Sequence, residues 1–325
     1  MRIGYIPPIP AEIFAASPHE AQNLWSHFAL ATNREEWLAT ARMAGLSDSA
    51  PFWARSLYAI AIENELEEVW YPDPGVPQEV RAALSLLQGQ GIRIRPFHFP
   101  ILRNIERLQG ALDDLCRDLD VDQRALKSSL EQWSHVRVAL RRFDALQYKN
   151  GAFPSLAYTR TLAKAMNPGK DIEGHRRELE RQILEFEGSR QGRWTKIGFI
   201  GLTPYRSGLY KLLDEMNAIV VYDEWGLENN PQGPARDLVS HYHQSSLPYG
   251  LKRRQERILK EIAERRLRGL ILGVECLCHN IREQGFFRST LPLPVFTFDN
   301  CSGDGLRPTE EANLRRFMLD CSSCS

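Results

Sequence analysis

Apolar residues in the first hundred positions fall into short runs that are separated by amphipathic stretches. Three runs predict strands: Arg2–Ile6, Glu68–Tyr71 and Ile92–Phe97. The segments between them, Pro51–Leu66 and Gln78–Gln88, carry apolar positions at helical spacing. Strands that alternate with helices build a parallel sheet with helices on its faces. The beginning of the chain is therefore predicted to be an α/β lobe.

The middle of the chain, from about residue 100 to 188, has helical periodicity almost throughout. One stretch is strongly amphipathic, with Leu126, Leu130 and Trp133 on a single face. Asp120 or Asp122 is expected to cap the start of this helix, because a short carboxylate accepts from the first free N–H groups. We interpret this region as a helical bridge.

The alternation of strands and helices returns after Trp194. Four apolar runs predict strands: Lys196–Gly201, Ala218–Tyr222, the run that begins at Gly269, and Pro294–Phe298. Helical segments separate them, and Thr309 is expected to cap a last helix. This order is typical of flavodoxin-like or Rossmann-like lobes.

The predicted fold is therefore α/β, with two Rossmann/flavodoxin-like lobes that have parallel sheets and are joined by a helical region. The expected boundaries are residues 1–99 for the N-terminal α/β lobe, 100–190 for the helical bridge and 191–325 for the C-terminal α/β lobe.

Composition excludes several kinds of partner. The formal net charge is zero, which gives no reason to expect nucleic acid or a charged membrane surface as a partner. No apolar run reaches the roughly 18–20 residues that span a bilayer, and the first residues do not resemble a signal peptide. We therefore expect a cytoplasmic protein, in which cysteines are usually reduced.

Polar side chains follow every strand predicted in the last third of the chain. Thr203 follows the first strand, Asp223 and Glu224 the second, Cys276–His279 the third, and Asp299 with Cys301 the last. Because the carboxyl ends of parallel strands lie at one edge of a sheet, these residues are expected to converge there.

Cysteines are concentrated in this same part of the chain. On an extended strand the side chains of Cys276 and Cys278 project to the same side, and Cys301 could be a third metal ligand. The alternative is that these are buried small apolar residues. Cys321 and Cys324 have ligand-like CxxC spacing, but a frayed tail is the expectation there. Cys116, alone on an apolar helix face, is expected to be core.

Several segments together resemble one family, the iron–sulfur subunits of 2-hydroxyacyl-CoA dehydratases and benzoyl-CoA reductases, including the double-cubane cluster proteins. Those with motif-like similarity are Ile3–Ala16 ("GY-x-P-x-E-x-x-x-A"), Asp48–Leu57 ("CP-x-x-R-x-x-L"), Ala218–Trp225 ("GA-x-VV-x-DE"), Gly269–Asn280 and Pro294–Asp299. The resemblance covers most of the chain, and it aligns Cys278 with a family cysteine.

This resemblance implies an iron–sulfur cluster, either 4Fe–4S or double cubane, held mainly by three cysteines. It also implies a homologous cluster-bearing subunit in a heterodimer, an ATP-dependent activator protein that supplies an electron, and an acyl-CoA substrate. One-electron chemistry through a ketyl radical of the thioester would then allow dehydration or ring reduction. The chain would be part of a lyase or an oxidoreductase, and no catalytic residue is assigned.

The sequence departs from the family pattern at two of the three usual ligands. The first cysteine corresponds to Ala50, and the second falls within Pro72–Gly75, which contains none. We therefore take Cys278, Cys276 and Cys301 as the candidate metal ligands. Two alternatives stay open: a non-catalytic structural or regulatory subunit that has lost its ligands, or a metal- or sulfur-handling protein that uses the CxC and the tail CxxC.

Overall fold

A computed structural model describes residues 1–32, 34–100, 102–167, 169–186, 192, 194–230, 238–247, 250–275, 279–300 and 304–323. These residues form eight strands and fifteen helices. The strands are β1 (Arg2–Tyr5), β2 (Glu20–Asn23), β3 (Glu68–Asp73), β4 (Arg93–His98), β5 (Thr195–Gly201), β6 (Ala218–Asp223), β7 (Gly269–Val274) and β8 (Val295–Asp299). The helices are α1 (Ala11–Ala16), α2 (Leu24–Leu30), α3 (Arg34–Met43), α4 (Phe52–Glu63), α5 (Gln78–Gly89), α6 (Ile105–Asp118), α7 (Gln123–Asn150), α8 (Ser155–Ala165), α9 (Ile172–Phe186), α10 (Ser207–Glu215), α11 (Glu224–Glu228), α12 (Leu238–Gln244), α13 (Leu251–Arg265), α14 (His279–Thr290) and α15 (Pro308–Ser323).

The chain divides into two compact units, each with one four-stranded sheet. The first unit comprises Met1–Ala139, Ala163–Arg177 and Glu228–Tyr249, and the second comprises Leu140–Leu162, Glu178–Leu227 and Gly250–Ser325. The sheets have the orders β2-β1-β3-β4 and β6-β5-β7-β8, and every strand pair is parallel. Both orders are of the flavodoxin type. The predicted α/β class with two Rossmann/flavodoxin-like lobes is confirmed. The residue ranges predicted for the two lobes and the helical bridge stay a prediction.

Aromatic side chains fill the core of the first unit. The rings of Tyr5 and Phe14 stack with centroids 4.2 Å apart, and Trp70 meets Phe14 edge-on. Helix α6 adds a row of leucines to the same cluster. One carboxylate is buried beside it: Glu12 forms an ion pair with Arg137 and accepts from the Tyr242 hydroxyl at 2.9 Å. A buried charge needs such partners because leaving it unpaired costs several kcal/mol.

The second sheet is apolar throughout its centre. Every residue of β6 and β7 is buried, which is the pattern of parallel strands covered on both faces. Two glycines permit the close packing around β7. A Cβ on Gly273 would collide with the backbone carbonyl of Leu202, where the chain leaves β5, and a Cβ on Gly269 would collide with Cys321. Leu202 N–H donates to the Gly273 carbonyl at 3.1 Å, which holds this exit in place.

Two strands differ from the sequence prediction. β3 does not end before Pro72 but runs to Asp73. Its pairing with β1 stops at Trp70, whereas its pairing with β4 continues to Asp73. Pro72 therefore lies where β3 has a single neighbour, the kind of position in which a proline is tolerated in a sheet. β2, with the sequence Glu-Ala-Gln-Asn, was not predicted, because a short polar edge strand has no apolar alternation.

The helices of the middle region are as predicted. The Asp122 carboxylate accepts from the Ala125 N–H at 2.7 Å, so Asp122 caps the start of α7. Among the helices of the described residues, none is both long enough and apolar enough to cross a membrane.

The close contact between Gly273 and the backbone of Leu202, just after β5, can be tested by substitution. We expect Gly273→Ala to lower the free energy of unfolding by about 3 kcal/mol, because the new methyl group meets backbone atoms. Gly285→Ala on α14 is the matched control: nothing lies within 4 Å of its Cβ, and replacing a helical glycine by alanine stabilises by about 0.5–1 kcal/mol. Denaturant unfolding of both variants measures the difference. Equal stabilities would contradict this packing.

Candidate functional site

The carboxyl edge of the second sheet is the candidate site. The strand order β6-β5-β7-β8 places a switch point between β5 and β7, where crossovers leave in opposite directions. Ligands of open α/β sheets bind at such a point, beyond the strand ends. Here the strands end at Gly201, Asp223, Val274 and Asp299.

Asp223 and Thr203 meet at this edge, as the sequence predicts. The Thr203 hydroxyl donates to Asp223 Oδ1 at 2.7 Å, and the Gly226 N–H donates to the same oxygen at 3.2 Å. Asp223 is buried, and within the described part of the chain its Oδ2 has no hydrogen-bond partner. Burial, which disfavours the charged form, raises the pKa of Asp223 to about 7. This carboxyl group can therefore take up or release a proton near neutrality.

Glu224, the next residue along the chain, has a structural role. Its Oε2 accepts from the Gly201 N–H at 2.7 Å, and Arg254 of α13 donates to both carboxylate oxygens at 2.8 Å. Arg254 also pairs with Glu283 of α14. The Glu224 carboxylate is thus paired, and through Arg254 it is connected to α13 and to Glu283 of α14.

A second polar group follows β7 and β8. The Tyr205 hydroxyl lies 3.0 Å from Glu275 Oε1 and 2.5 Å from the Asn300 carbonyl oxygen, so its one hydrogen is shared between them. Asn300 N–H donates to the Val274 carbonyl at 2.8 Å. The side-chain amide of Asn300 is buried, and neither its nitrogen nor its oxygen has a hydrogen-bond partner among the described residues. The edge therefore has polar capacity that the described residues do not use.

The predicted ligands Cys276, Cys278 and Cys301 lie outside the described residues. The strands that lead to them are neighbours: Val274 of β7 pairs with Asp299 of β8, and adjacent strands are about 4.8 Å apart. The two cysteine-bearing segments thus begin side by side at the carboxyl edge.

Cys321 lies elsewhere, and the expectation of a frayed tail is wrong for it. Cys321 is buried within α15 and packs against Gly269 at the amino end of β7. A six-residue strand is about 16 Å long, so Cys321 cannot join ligands beyond Val274. Cys324 lies outside the described residues.

The remaining cysteine and the family's usual ligand positions supply no thiolate. Cys116 packs half-buried against the core of the first unit, where burial raises its pKa to about 11 and keeps the thiol protonated. Ala50 precedes α4 and Pro72 lies in β3, and neither side chain can bind iron. Among the described residues, no three His, Cys, Asp or Glu side chains are grouped so that they could hold a metal ion.

Sequence reasoning missed several residues of this edge. Tyr205, Arg254 and Asn300 carry no motif, and Arg254 in particular belongs to a charged run that is usually solvent-exposed. Glu275 had a usable signal, since a carboxylate that directly follows an all-apolar strand lies at the carboxyl edge.

The raised pKa of Asp223 predicts a pH dependence of stability. Between its ordinary pKa of 3.8 and about 7 the folded state binds this proton and the unfolded state does not, so stability from this group falls as pH rises, by up to about 1.4 kcal/mol per pH unit. Asp223→Asn mimics the protonated form, and we expect it to remove this slope and to be more stable than wild type at pH 8.

Asp144→Asn is the matched control, at another buried aspartate of the second unit. Asp144 accepts from Arg265 at 2.8 Å on both oxygens, so the loss of its charge is expected to destabilise by about 3 kcal/mol. Thermal unfolding of both variants between pH 4 and 8 tests the pair of predictions. A destabilised Asp223→Asn variant at pH 8 would show that the carboxylate is charged and compensated.

A protein-family model matches this chain. No curated protein matches the chain. The family model described as "2-hydroxyglutaryl-CoA dehydratase, D-component" matches residues 97–292, well over half of the chain and including the edge formed by β5 to β7. The resemblance drawn from the sequence is thereby confirmed, and the chain belongs to the family of the 2-hydroxyglutaryl-CoA dehydratase D-component.

Proposed function

We propose that the chain is a divergent subunit of a 2-hydroxyacyl-CoA dehydratase or benzoyl-CoA reductase-like complex that performs one-electron chemistry on an acyl-CoA. Family membership supports this assignment. The observation that carries it is the pairing of Val274 with Asp299, which starts the segments of Cys276, Cys278 and Cys301 from neighbouring strand ends.

In this proposal Cys276, Cys278 and Cys301 hold the cluster at the carboxyl edge of the second sheet. Thiolates are the usual ligands of iron–sulfur clusters, and a bound cluster would supply a low-potential electron. A homologous subunit and an ATP-dependent activator protein are the partners that such chemistry requires. Among the described residues the buried side-chain amide of Asn300 has no hydrogen-bond partner. It lies one residue before Cys301 and is suited to donate to a thiolate or to the substrate.

Asp223 is the proton-holding group that we assign to this edge. Loss of water from a hydroxyacyl group requires a proton for the leaving oxygen, and a carboxyl group with a pKa of about 7 can give and regain one at neutral pH. Oδ2 is the oxygen that would carry this proton, because Oδ1 already accepts from Thr203 and Gly226.

A second candidate function follows from the two missing ligands. Ala50 and the Pro72–Gly75 segment, both in the first unit, have no thiolate, which favours a non-catalytic structural or regulatory subunit. The third alternative, a metal- or sulfur-handling protein that uses the tail CxxC, is disfavoured, since Cys321 is buried at the amino end of β7.

Anaerobic purification with iron and sulfide assays separates these functions. We expect about four irons per chain for one cubane cluster, and we expect Cys276→Ser, Cys278→Ser and Cys301→Ser each to lower this content severalfold. Cys116→Ser is the matched control, since its thiol packs against the core of the first unit, and it should retain the wild-type iron content.

The experiment is repeated with the chain co-expressed with a homologous subunit. Negligible iron in the chain both alone and in the complex would overturn the cluster proposal and leave the structural subunit. Full iron content in all three serine variants would assign the cluster to other ligands.

A further inference from the structure

The chain between β5 and the first turn of α10 contacts both borders of residues 301–303, which we call the Cys301 segment. The described residues before and after this segment are Asn300 and Asp304. On one border, the Tyr205 hydroxyl lies 2.5 Å from the Asn300 carbonyl oxygen. On the other border, the Asp304 carboxylate accepts from the N–H and the hydroxyl of Ser207 at 2.9 and 2.6 Å. Both borders are therefore tied to the same stretch of chain.

Arg206, between these two residues, connects the borders directly. Its side chain is fully buried. Nη1 donates to the carbonyl of Asp299 at 2.9 Å, and Nη2 donates to the carbonyl of Gly305. The six residue steps from Asp299 to Gly305 could span about 20 Å in an extended chain, yet both carbonyls meet one guanidinium. Arg206 thus holds together two points that lie on opposite sides of the Cys301 segment.

Glu310 of α15 fixes the orientation of this guanidinium. Its two carboxylate oxygens accept from Nη1 and Nη2 of Arg206, each at 3.0 Å. Each terminal nitrogen has two hydrogens, and here one goes to the carboxylate and one to a carbonyl. Glu310 compensates the buried charge, and the ring of Phe298 lies 5.1 Å from the guanidinium carbon. Lysine carries its donors on a single nitrogen, so it cannot reproduce this fork.

We propose that Arg206 is a positioning residue of the candidate cluster site, which holds the two borders of the Cys301 segment so that Cys301 is presented as a ligand at the end of β8. This inference rests on the proposed function, in which Cys301 binds the cluster. The residues present fit such a group, because the buried side-chain amide of Asn300, which has no partner among the described residues, lies on the same border. A ligand that is held in place beforehand loses less conformational freedom on binding.

Hydrogen–deuterium exchange of the metal-free protein tests the contacts of Arg206. Arg206→Lys keeps the positive charge beside Glu310 but loses the fork. We expect the amide protection of the peptide that covers residues 299–306 to fall about tenfold, the effect of losing one hydrogen bond to a charged group. Arg265→Lys is the matched control, since Arg265 is also buried and paired, but with α7, α13 and β6. It should leave this peptide unchanged.

Anaerobic iron and sulfide assays of the same two variants test the role in cluster binding. We expect Arg206→Lys to lower the iron content severalfold and Arg265→Lys to retain the wild-type content. Denaturant unfolding of both variants is measured in parallel. A general loss of stability would lower the iron content of both variants, whereas a positioning role lowers it in Arg206→Lys alone.

Asp304→Ala is the second variant, in case substitution of the buried arginine prevents folding. Asp304 is exposed, and alanine removes both of its side-chain bonds to Ser207. We expect faster exchange of the same peptide and a lower iron content. Asp320→Ala is the matched control, at an exposed aspartate near the other end of α15, and it should behave as wild type.

Three results would contradict the positioning role of Arg206, and they are distinguishable. Wild-type exchange in both Arg206→Lys and Asp304→Ala would show that these contacts do not hold the borders. Faster exchange with wild-type iron content would show that cluster binding does not depend on them. A wild-type chain that binds no iron, alone or with a homologous subunit, would overturn the proposed function and this role together, and the exchange data of the metal-free protein separate that failure from the first.

Discussion

The carboxyl edge of the second sheet depends on one buried ion pair, that of Glu224 with Arg254. The carboxylate accepts from the Gly201 N–H at the end of β5 and from Nε and Nη2 of Arg254 on α13. Because breaking such a pair leaves an uncompensated buried charge, the ends of β5 and β6 are fixed relative to α13. Burial is the main cause of the raised pKa of the neighbouring Asp223, and the negative charge of Glu224 beside it raises that pKa further.

The first unit also contains a buried carboxylate paired with an arginine. Glu12 forms an ion pair with Arg137 and accepts a hydrogen bond from the Tyr242 hydroxyl, so its negative charge is compensated within the core. The indole of Trp133, over which Arg137 lies at 6.0 Å, has no such acceptor among the described residues.

The sequence predicts those parts of the fold and site whose pattern lies within one short segment. β6 and β7 were predictable because continuous burial requires continuous apolar runs, and the cap at Asp122 needs only its own helix. β2 was not, because its four residues, three of them polar, lie at a sheet edge and have no apolar periodicity. The pairing of Glu224 with Arg254 joins residues 30 positions apart, and nothing in the sequence specifies which arginine of a charged helix faces the sheet.

The position of the thiols has a physical consequence for the family's chemistry. The usual first two ligand positions, Ala50 and the Pro72–Gly75 segment, belong to the first unit, whereas Cys276, Cys278 and Cys301 belong to the second. In the proposed cluster site every ligand would come from the second unit, after two strands that are hydrogen-bonded neighbours, β7 and β8. The described ends of these strands are organised by one sheet, so the proposed site would need no thiolate from the first unit.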